Sequence, residues 1–140
     1  MTPEKFIIAK ASEAIQALYG VEVPEAQLQV QVTRKEFEGD YTLVVFPLLK
    51  MSKTTPENTG NAIGEWLKAN VAEVAAYNTV KGFLNISFSE VYWNNVFAEI
   101  AAAEDFGQLE PTGRTIMVEY SSPNTNKPLH LGHIRNNLLG

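Results

Sequence analysis

The chain has 140 residues, of which 45% are hydrophobic and 19% charged, a globular balance that excludes an intrinsically disordered protein. Eleven Lys and Arg residues against 16 Asp and Glu residues give a net charge of −5, which argues against a general nucleic-acid coat protein. Cysteine is absent, so disulfide scaffolds, Cys-ligated zinc and cysteine nucleophiles are excluded, and no apolar run approaches the roughly 20 residues of a membrane span.

The beginning of the chain predicts a helix followed by a strand. Thr2 can cap the helix, Pro3 suits its first position and Gly20 suits its end. Residues 27–33 then alternate between polar and apolar side chains, which predicts a half-buried strand. The apolar residues expected on its core face are Leu28, Val30 and Val32.

The next segment predicts a turn, a second strand and a second helix. Gly39 and Asp40 suit the turn, residues 41–46 the strand, and residues 50–55 a polar loop. The helix is expected to begin near Thr55 and to bury one apolar stripe. The stripe consists of Ile63, Trp66, Leu67 and Val71.

Two more strands are predicted over residues 74–80 and 83–88, with a third helix capped by Ser89. The apolar face expected on that helix consists of Trp93, Val96, Phe97, Ile100 and Ala101. Short links between paired strands favour an antiparallel four-stranded sheet with helices on one face, an α+β layer.

The character of the chain changes after residue 108. Residues 104–113 predict a linker, residues 116–118 a strand buried in a parallel sheet, and residues 131–139 the start of a helix. Strand, loop and helix are the opening of a Rossmann-type α/β domain. We therefore expect one domain at residues 1–108 and the truncated start of a second at residues 109–140, so that the chain is a fragment.

An H-x-G-H pattern, formed by His130, Gly132 and His133, lies where the loop enters this last helix. Imidazoles can donate hydrogen bonds to phosphate oxygens, and a glycine lets a flat base lie against the backbone. The helix N-terminus adds aligned N–H groups. The pattern predicts a nucleoside triphosphate site, with two exposed loop histidines as the alternative; zinc is disfavoured because the spacing and partner residues of a zinc site are missing.

The stretch around this pattern resembles the nucleotide-binding segment of the class I aminoacyl-tRNA synthetases, with residues 130–133 in the place of their HIGH motif. Ser-Ser-Pro-Asn at 121–124 and the following Lys127 match the version found in arginyl-tRNA synthetases. Gly-Asp-Tyr at 39–41 and Gly-Phe-Leu-Asn-Ile at 82–86 resemble two segments of that family's N-terminal additional domain.

The resemblance implies an ATP-dependent ligase that activates arginine as arginyl-adenylate and transfers it to tRNA(Arg). Mg²⁺ would accompany ATP without a protein metal site, and the protein would be a cytoplasmic monomer with no membrane contact. This fragment alone is expected to be inactive, because the rest of the catalytic sheet and the anticodon-binding domain are absent from it.

Site residues follow from the resemblance position by position. The catalytic positions match His130, His133 and Lys127. The ATP-binding positions match His130, Gly132 and His133. The positions that line the arginine pocket match Glu119, Ser122, Asn124 and His130. Lys-Met-Ser-Lys at 50–53 reads like the second class I motif, but it precedes the first and lies in the other domain, so a basic or solvated loop is the better interpretation.

The strand at 83–88 predicts an RNA contact independently of the motif. If its core face carries Leu84, then Phe83 and Asn85 share the opposite face, where a ring and an amide could hold one unstacked base. In the family these positions of the additional domain contact the D-loop of tRNA, and Tyr41 could share the site. The alternative is that Phe83 is covered by another element.

The charge of this first domain restricts how it could hold RNA. Residues 1–108 carry 8 basic and 14 acidic side chains, a net −6, whereas residues 109–140 carry 3 basic and 2 acidic ones, a net +1. RNA binding must then be local and weak for the fragment alone. The candidate cations are Arg34, Lys35, Lys50, Lys53 and Lys81.

Two other functions remain open at this point. An H-x-G-H nucleotidyltransferase acting on a small molecule would carry the motif, although such enzymes place it near the N-terminus. A stand-alone RNA-binding module with incidental histidines would show no ATP chemistry.

Overall fold

A computed structural model describes residues 2–108 and 110–140 of the chain. The chain separates into two compact units, Met1–Glu104 and Asp105–Gly140. The first unit contains α1 (Pro3–Tyr19), β1 (Val30–Val32), β2 (Tyr41–Val44), α2 (Leu49–Ser52), α3 (Pro56–Asn70), β3 (Val74–Val80), β4 (Phe83–Phe88) and α4 (Glu90–Ala102). The second contains α5 (Leu131–Leu139).

The first unit is built on a four-stranded antiparallel sheet of order β1-β2-β4-β3. This confirms the predicted α+β layer. β3 and β4 form a hairpin through Lys81 and Gly82, both of which have positive φ angles (50° and 81°), the geometry of a tight turn that matches strand twist. A register shift between Val74 and Ala76 bends the start of β3.

Helices α1 and α3 pack on one face of this sheet. Thr2 caps α1 and Thr55 caps α3, each followed by Pro at the first helical position, as predicted. α3 lies very close to β3 because Gly60 and Gly64 face the strand. The largest fully buried apolar side chains of the core are Ile7, Ile15, Leu43, Val45, Leu48, Ile63, Leu67, Leu84 and Ile86.

Two strand and loop predictions need correction. β1 covers only Val30–Val32, and Val32, the last residue of this edge strand, is 65% exposed. The predicted polar loop at 50–55 contains the short helix α2, whose Ser52 hydroxyl hydrogen-bonds to the Thr59 hydroxyl at 2.7 Å.

The predicted apolar face of α4 is also wrong in its burial. Trp93 and Phe97 are 41% and 72% exposed, and the buried residue of the helix is Tyr92, whose ring stacks on Phe88 with centroids 3.9 Å apart. Helical periodicity correctly identified the apolar stripe of α4. Among the described residues of this unit, however, the core packs against Tyr92, the residue that precedes Trp93.

In the second unit, the helix predicted at 131–139 is present and the strand predicted at 116–118 is not. Ile116, Met117 and Val118 are all more than 60% exposed. A strand needs a neighbouring strand for its hydrogen bonds, and none of the described residues supplies one to this segment. Every helix of the described residues is too short or too polar to cross a lipid bilayer.

Candidate functional site

The open face of the sheet carries a row of polar side chains that crosses all four strands. Gln31 on β1 lies opposite Thr42 on β2, Thr42 opposite Asn85 on β4, and Asn85 opposite Asn78 on β3. Thr33, just beyond β1, joins the row through its hydroxyl, which lies 3.0 Å from the Thr42 hydroxyl.

Most of the row is connected by hydrogen bonds that run in one direction. The Thr42 hydroxyl donates to Asn85 Oδ1 at 2.6 Å, and Asn85 Nδ2 donates to Asn78 Oδ1 at 2.8 Å. Asn78 Nδ2 donates in turn to the Glu38 carbonyl at 3.0 Å. Because a hydroxyl has one hydrogen to donate, Thr33 must be the donor to Thr42. Asn85 is therefore held in one amide orientation.

An apolar row lies beside the polar one. Phe83 on β4 is opposite Val44 on β2 and Val80 on β3. The Phe83 ring meets the Phe46 ring edge-on, with centroids 5.7 Å apart and planes at 80°. Phe83 is 37% exposed, so the predicted alternative in which another element covers it does not hold within the described residues.

A pocket of about 130 Å³ opens between the two rows. Its apolar wall includes Phe83, Val80 and Phe37, and its floor includes Thr42 and Asn85. Two cations, Arg34 and Lys81, and the amide of Gln31 complete the lining. An aromatic surface beside hydrogen-bonding groups and cations suits a nucleobase with its phosphate.

The loop that follows β1 supplies part of the pocket wall. It carries Arg34 and Phe37, and several hydrogen bonds anchor it. Among these, the Thr33 N–H donates to the Asp40 carbonyl, and the Glu38 carbonyl accepts from Asn78. Gly39 has a φ of 121° and lies so near β4 that an added Cβ would be 3.1 Å from the Asn85 Cβ. Close approach of the loop to the sheet therefore requires glycine at this position.

The structure separates Tyr41 from the other two predicted RNA contacts. Tyr41 lies on the helix-covered face, where its ring meets Phe88 edge-on at 6.1 Å. Burial raises the pKa of the Tyr41 hydroxyl, with Glu4 and Asp40 adding to the shift. Strand alternation explains the placement, since Tyr41 is in register with Ile86 and not with Phe83 or Asn85.

Asn85 lines the pocket but is only 2% exposed, because its amide is engaged in the polar row. The sequence placed Asn85 on the correct face and missed the hydrogen bonds. Thr42 and Asn78 could have been found only from the strand register, which the sequence does not specify. Of the predicted cations, Arg34 and Lys81 line the pocket, and Lys35, Lys50 and Lys53 do not.

In the second unit, the two histidines cap α5. His130 Nδ1 accepts the Gly132 N–H at 3.1 Å, and His133 Nδ1 accepts the His130 N–H at 3.1 Å. The two rings lie 3.9 Å apart. Because each Nδ1 is an acceptor, each neutral imidazole carries its proton on Nε2, which leaves two N–H donors beside the helix N-terminus.

The other residues predicted in this unit are exposed and form two local pairs. The Ser122 hydroxyl donates to Glu119 Oε1 at 3.4 Å, and the Lys127 N–H donates to the Asn124 carbonyl at 3.3 Å. Among the described residues, no hydrogen bond or ion pair joins either pair to the side chain of His130 or His133. The structure thus brings the two histidines together and leaves Glu119, Ser122, Asn124 and Lys127 in two separate local pairs.

Comparisons with known proteins find arginine–tRNA ligases as similar proteins. The chain is 54% identical over its whole length to the arginine–tRNA ligase of Bacteroides thetaiotaomicron, and covers 24% of that protein. The arginine–tRNA ligase of Porphyromonas gingivalis is 54% identical over 93% of the chain, which covers 22% of that relative. This chain is a relative of the arginine–tRNA ligases.

A structural neighbour and a family model agree with this relationship. The arginyl-tRNA synthetase of Thermus thermophilus matches 99% of the chain with a TM-score of 0.57 and 26% identity, and the match covers 22% of that protein. The family model described as tRNA synthetases class I (R), catalytic domain, matches residues 96–140. The chain spans about a quarter of the length of the curated relatives that it matches.

Proposed function

We propose that this chain is part of an arginine–tRNA ligase, an enzyme that activates arginine with ATP and transfers it to tRNA(Arg). The 54% identity over the whole chain carries the proposal. We further propose a monomeric, cytoplasmic protein with domains at residues 1–108 and 109–140. A nucleotidyltransferase acting on a small molecule and a stand-alone RNA module have no comparable support.

The first domain contributes tRNA binding in this proposal. The pocket on the open sheet face supports it, because an exposed Phe83 ring lies beside hydrogen-bonding groups and two cations. One D-loop base would stack on Phe83, and its phosphate would lie near Arg34 or Lys81. Because the net charge of this domain is −6, the domain as a whole does not attract RNA, and the contact is confined to the pocket. Tyr41 is not part of this contact, since it lies on the other face of the sheet.

The second domain contributes the first part of the ATP and arginine sites. The Nε2–H groups of His130 and His133 would donate to ATP phosphates, next to the Gly132 backbone. Lys127 would neutralise phosphate charge. Glu119, Ser122 and Asn124 would bind the charged groups of arginine, with His130. Magnesium would bind through the ATP phosphates, as is usual for this ion.

Replacing Phe83 tests the tRNA contact. Base stacking on an aromatic ring contributes about 1 to 3 kcal/mol, so Phe83→Ala should weaken binding of a tRNA(Arg) transcript by about 5- to 150-fold. Phe97→Ala is a matched control, because this exposed ring lies in the same unit but outside the pocket. NMR titration measures the affinity of each variant. Equal affinities for Phe83→Ala and the unaltered chain would contradict the proposal.

ATP–pyrophosphate exchange tests the enzymatic proposal. The 140-residue chain should show no exchange, whereas the full-length protein that contains it should exchange pyrophosphate only with arginine and with tRNA(Arg) present. Exchange driven by another small molecule would support the nucleotidyltransferase alternative. Absence of exchange at full length would favour the stand-alone RNA module.

A further inference from the structure

A second pocket, of about 110 Å³, lies where α4, α1 and the start of β3 meet. One face of α4 supplies lining side chains that are spaced three and four residues apart: Tyr92, Asn95, Val96 and Glu99. Phe6 from α1 and Glu73, the residue before β3, complete the lining. None of these residues lines the pocket on the open face of the sheet, so the two pockets are separate sites.

The most deeply buried residue of this lining is Tyr92, which is 5% exposed. Its hydroxyl has no hydrogen-bond partner among residues 2–108 and 110–140. The ring cannot turn freely, because it stacks on Phe88 and its centroid lies 5.2 Å from that of Phe6. Burial raises the pKa of the hydroxyl, and the charge of Glu99 adds to the shift, so this carboxylate lies within electrostatic reach. A buried hydroxyl without a partner in the chain is able to hydrogen-bond to a ligand.

The charged groups of this second pocket are both acidic. Glu73 and Glu99 supply carboxylates, and none of the described residues that line the pocket is basic. Glu73 is half-buried, and its carbonyl accepts the N–H of Ser89, the N-cap of α4, at 2.8 Å, which fixes it beside the helix. Carboxylates accept hydrogen bonds from ammonium and guanidinium groups, and aromatic rings attract a cation placed over them. The lining therefore suits an organic cation.

We propose that this pocket binds a lysine or arginine side chain from a basic segment of a partner protein. The methylene stem would pack on Phe6 and Val96, and the cationic head would donate to the two carboxylates and to the Tyr92 oxygen. The volume suits the end of one long side chain, since a water-sized group occupies about 30 Å³. The net charge of −6 on residues 1–108 attracts a basic segment. A free amino acid fits less well, because its own carboxylate would approach the two acidic groups.

NMR titration of the 140-residue chain with the N-acetyl methylamides of lysine and arginine tests this inference. The methyl signals of Val96 and the side-chain NH₂ signal of Asn95 should shift and saturate in the millimolar range, as expected for such small ligands. The norleucine analogue has the stem of lysine without its charge, and free lysine adds a carboxylate, so both should bind more weakly. Absence of a response to both cationic probes, or an equal response to the norleucine analogue, would overturn the inference.

Two variants test the individual contacts. Tyr92→Phe should weaken binding of the cationic probes about two- to tenfold, as expected for one hydrogen bond, although loss of an unsatisfied hydroxyl should itself stabilise the fold. Glu73→Gln should weaken binding at least about threefold. Glu90→Gln is the matched control, because it removes the same charge from α4 outside the pocket. Unchanged affinity in Tyr92→Phe, or equal losses in Glu73→Gln and Glu90→Gln, would overturn the inference.

The full-length protein that contains this chain separates a partner from an occupant within the same protein. A pocket that serves a partner must be open in the full-length protein, so the cationic probes should shift the same Val96 methyl signals there. If the probes shift these signals in the 140-residue chain and not in the full-length protein, a side chain of the same protein fills the pocket, and the assignment to a partner fails.

Discussion

At the scale of single residues, Tyr92 combines a favourable ring with an unfavourable hydroxyl. The ring is buried and stacked on Phe88, but its oxygen has no hydrogen-bond partner among the described residues. Burial raises the pKa of the Tyr92 hydroxyl, and Tyr41, Glu4 and Glu99 add to the shift. The unsatisfied Tyr92 hydroxyl therefore lowers the free energy of unfolding, although the aromatic cluster around it is well packed.

Tyr92→Phe should therefore raise the free energy of unfolding by about 1 kcal/mol, because it removes the unsatisfied group and keeps the ring. Urea unfolding followed by circular dichroism measures the change. Tyr92→Leu is the control for the ring itself and should be destabilising. Loss of stability in Tyr92→Phe would show that the Tyr92 hydroxyl forms a stabilising hydrogen bond.

Gly64 shows how a missing side chain sets the spacing of α3 and β3. A Cβ added at this position would be 2.3 Å from Cδ2 of the Tyr77 ring, whose hydroxyl is tied to Glu65 at 2.8 Å. Neither the α3 backbone nor the Tyr77 ring can move aside freely to make room for this Cβ. Gly64→Ala should destabilise the first unit by about 1 to 3 kcal/mol, although alanine favours helix formation. Asn61→Ala on the exposed side of α3 is the control and should be neutral or slightly stabilising in thermal unfolding.

At the scale of elements, β4 shows what the sequence could predict. Its predicted bounds, residues 83–88, agree with the structure, because alternation and the Lys81–Gly82 turn both specify them. The face assigned to Asn85 was right as well. Its burial was not predictable, since it depends on which residues of β2 and β3 lie opposite.

Two of the failed predictions at this scale, those for α4 and for residues 116–118, have one physical cause. The apolar stripe of α4 and the apolar run at 116–118 both need a surface to pack against, and periodicity identifies the apolar residues without identifying that surface. Trp93 and Phe97 remain exposed, as does Met117 at 92%. A pattern in the sequence therefore predicts the kind of element better than its burial.

The N-terminus of α5 gives a prediction for one element. His133 closes the second half of the cap by accepting the His130 N–H. His133→Ala should lower the helicity of residues 131–139, measured by NMR Cα shifts, with a cost near 1 kcal/mol. His133→Gln should largely retain the helix, because glutamine at this position can also accept the N-cap N–H. Equal helicity in all three chains would show that the cap is not needed.

At the scale of the whole molecule, the titration of tyrosines predicts how stability changes in alkali. The pKa values of Tyr19, Tyr41, Tyr77 and Tyr92 all lie above their ordinary 10.0. Burial is the main cause for three of them, and for Tyr77 the first cause is its hydrogen bond to Glu65. The folded chain therefore holds these phenolic protons more tightly than the unfolded chain does.

The sign of the effect follows from which state binds more protons. Well below pH 10 both states keep all four protons, so the tyrosines leave the free energy of unfolding unchanged there. Above pH 10 the unfolded chain loses protons that the folded chain retains, and stability falls as pH rises. The urea midpoint should be level between pH 8 and about pH 9.5 and should decrease beyond pH 10. Tyr92→Phe should make that decrease shallower, since it removes one of the four tyrosine hydroxyls. A decrease of the same steepness in Tyr92→Phe would show that other groups dominate the alkaline unfolding.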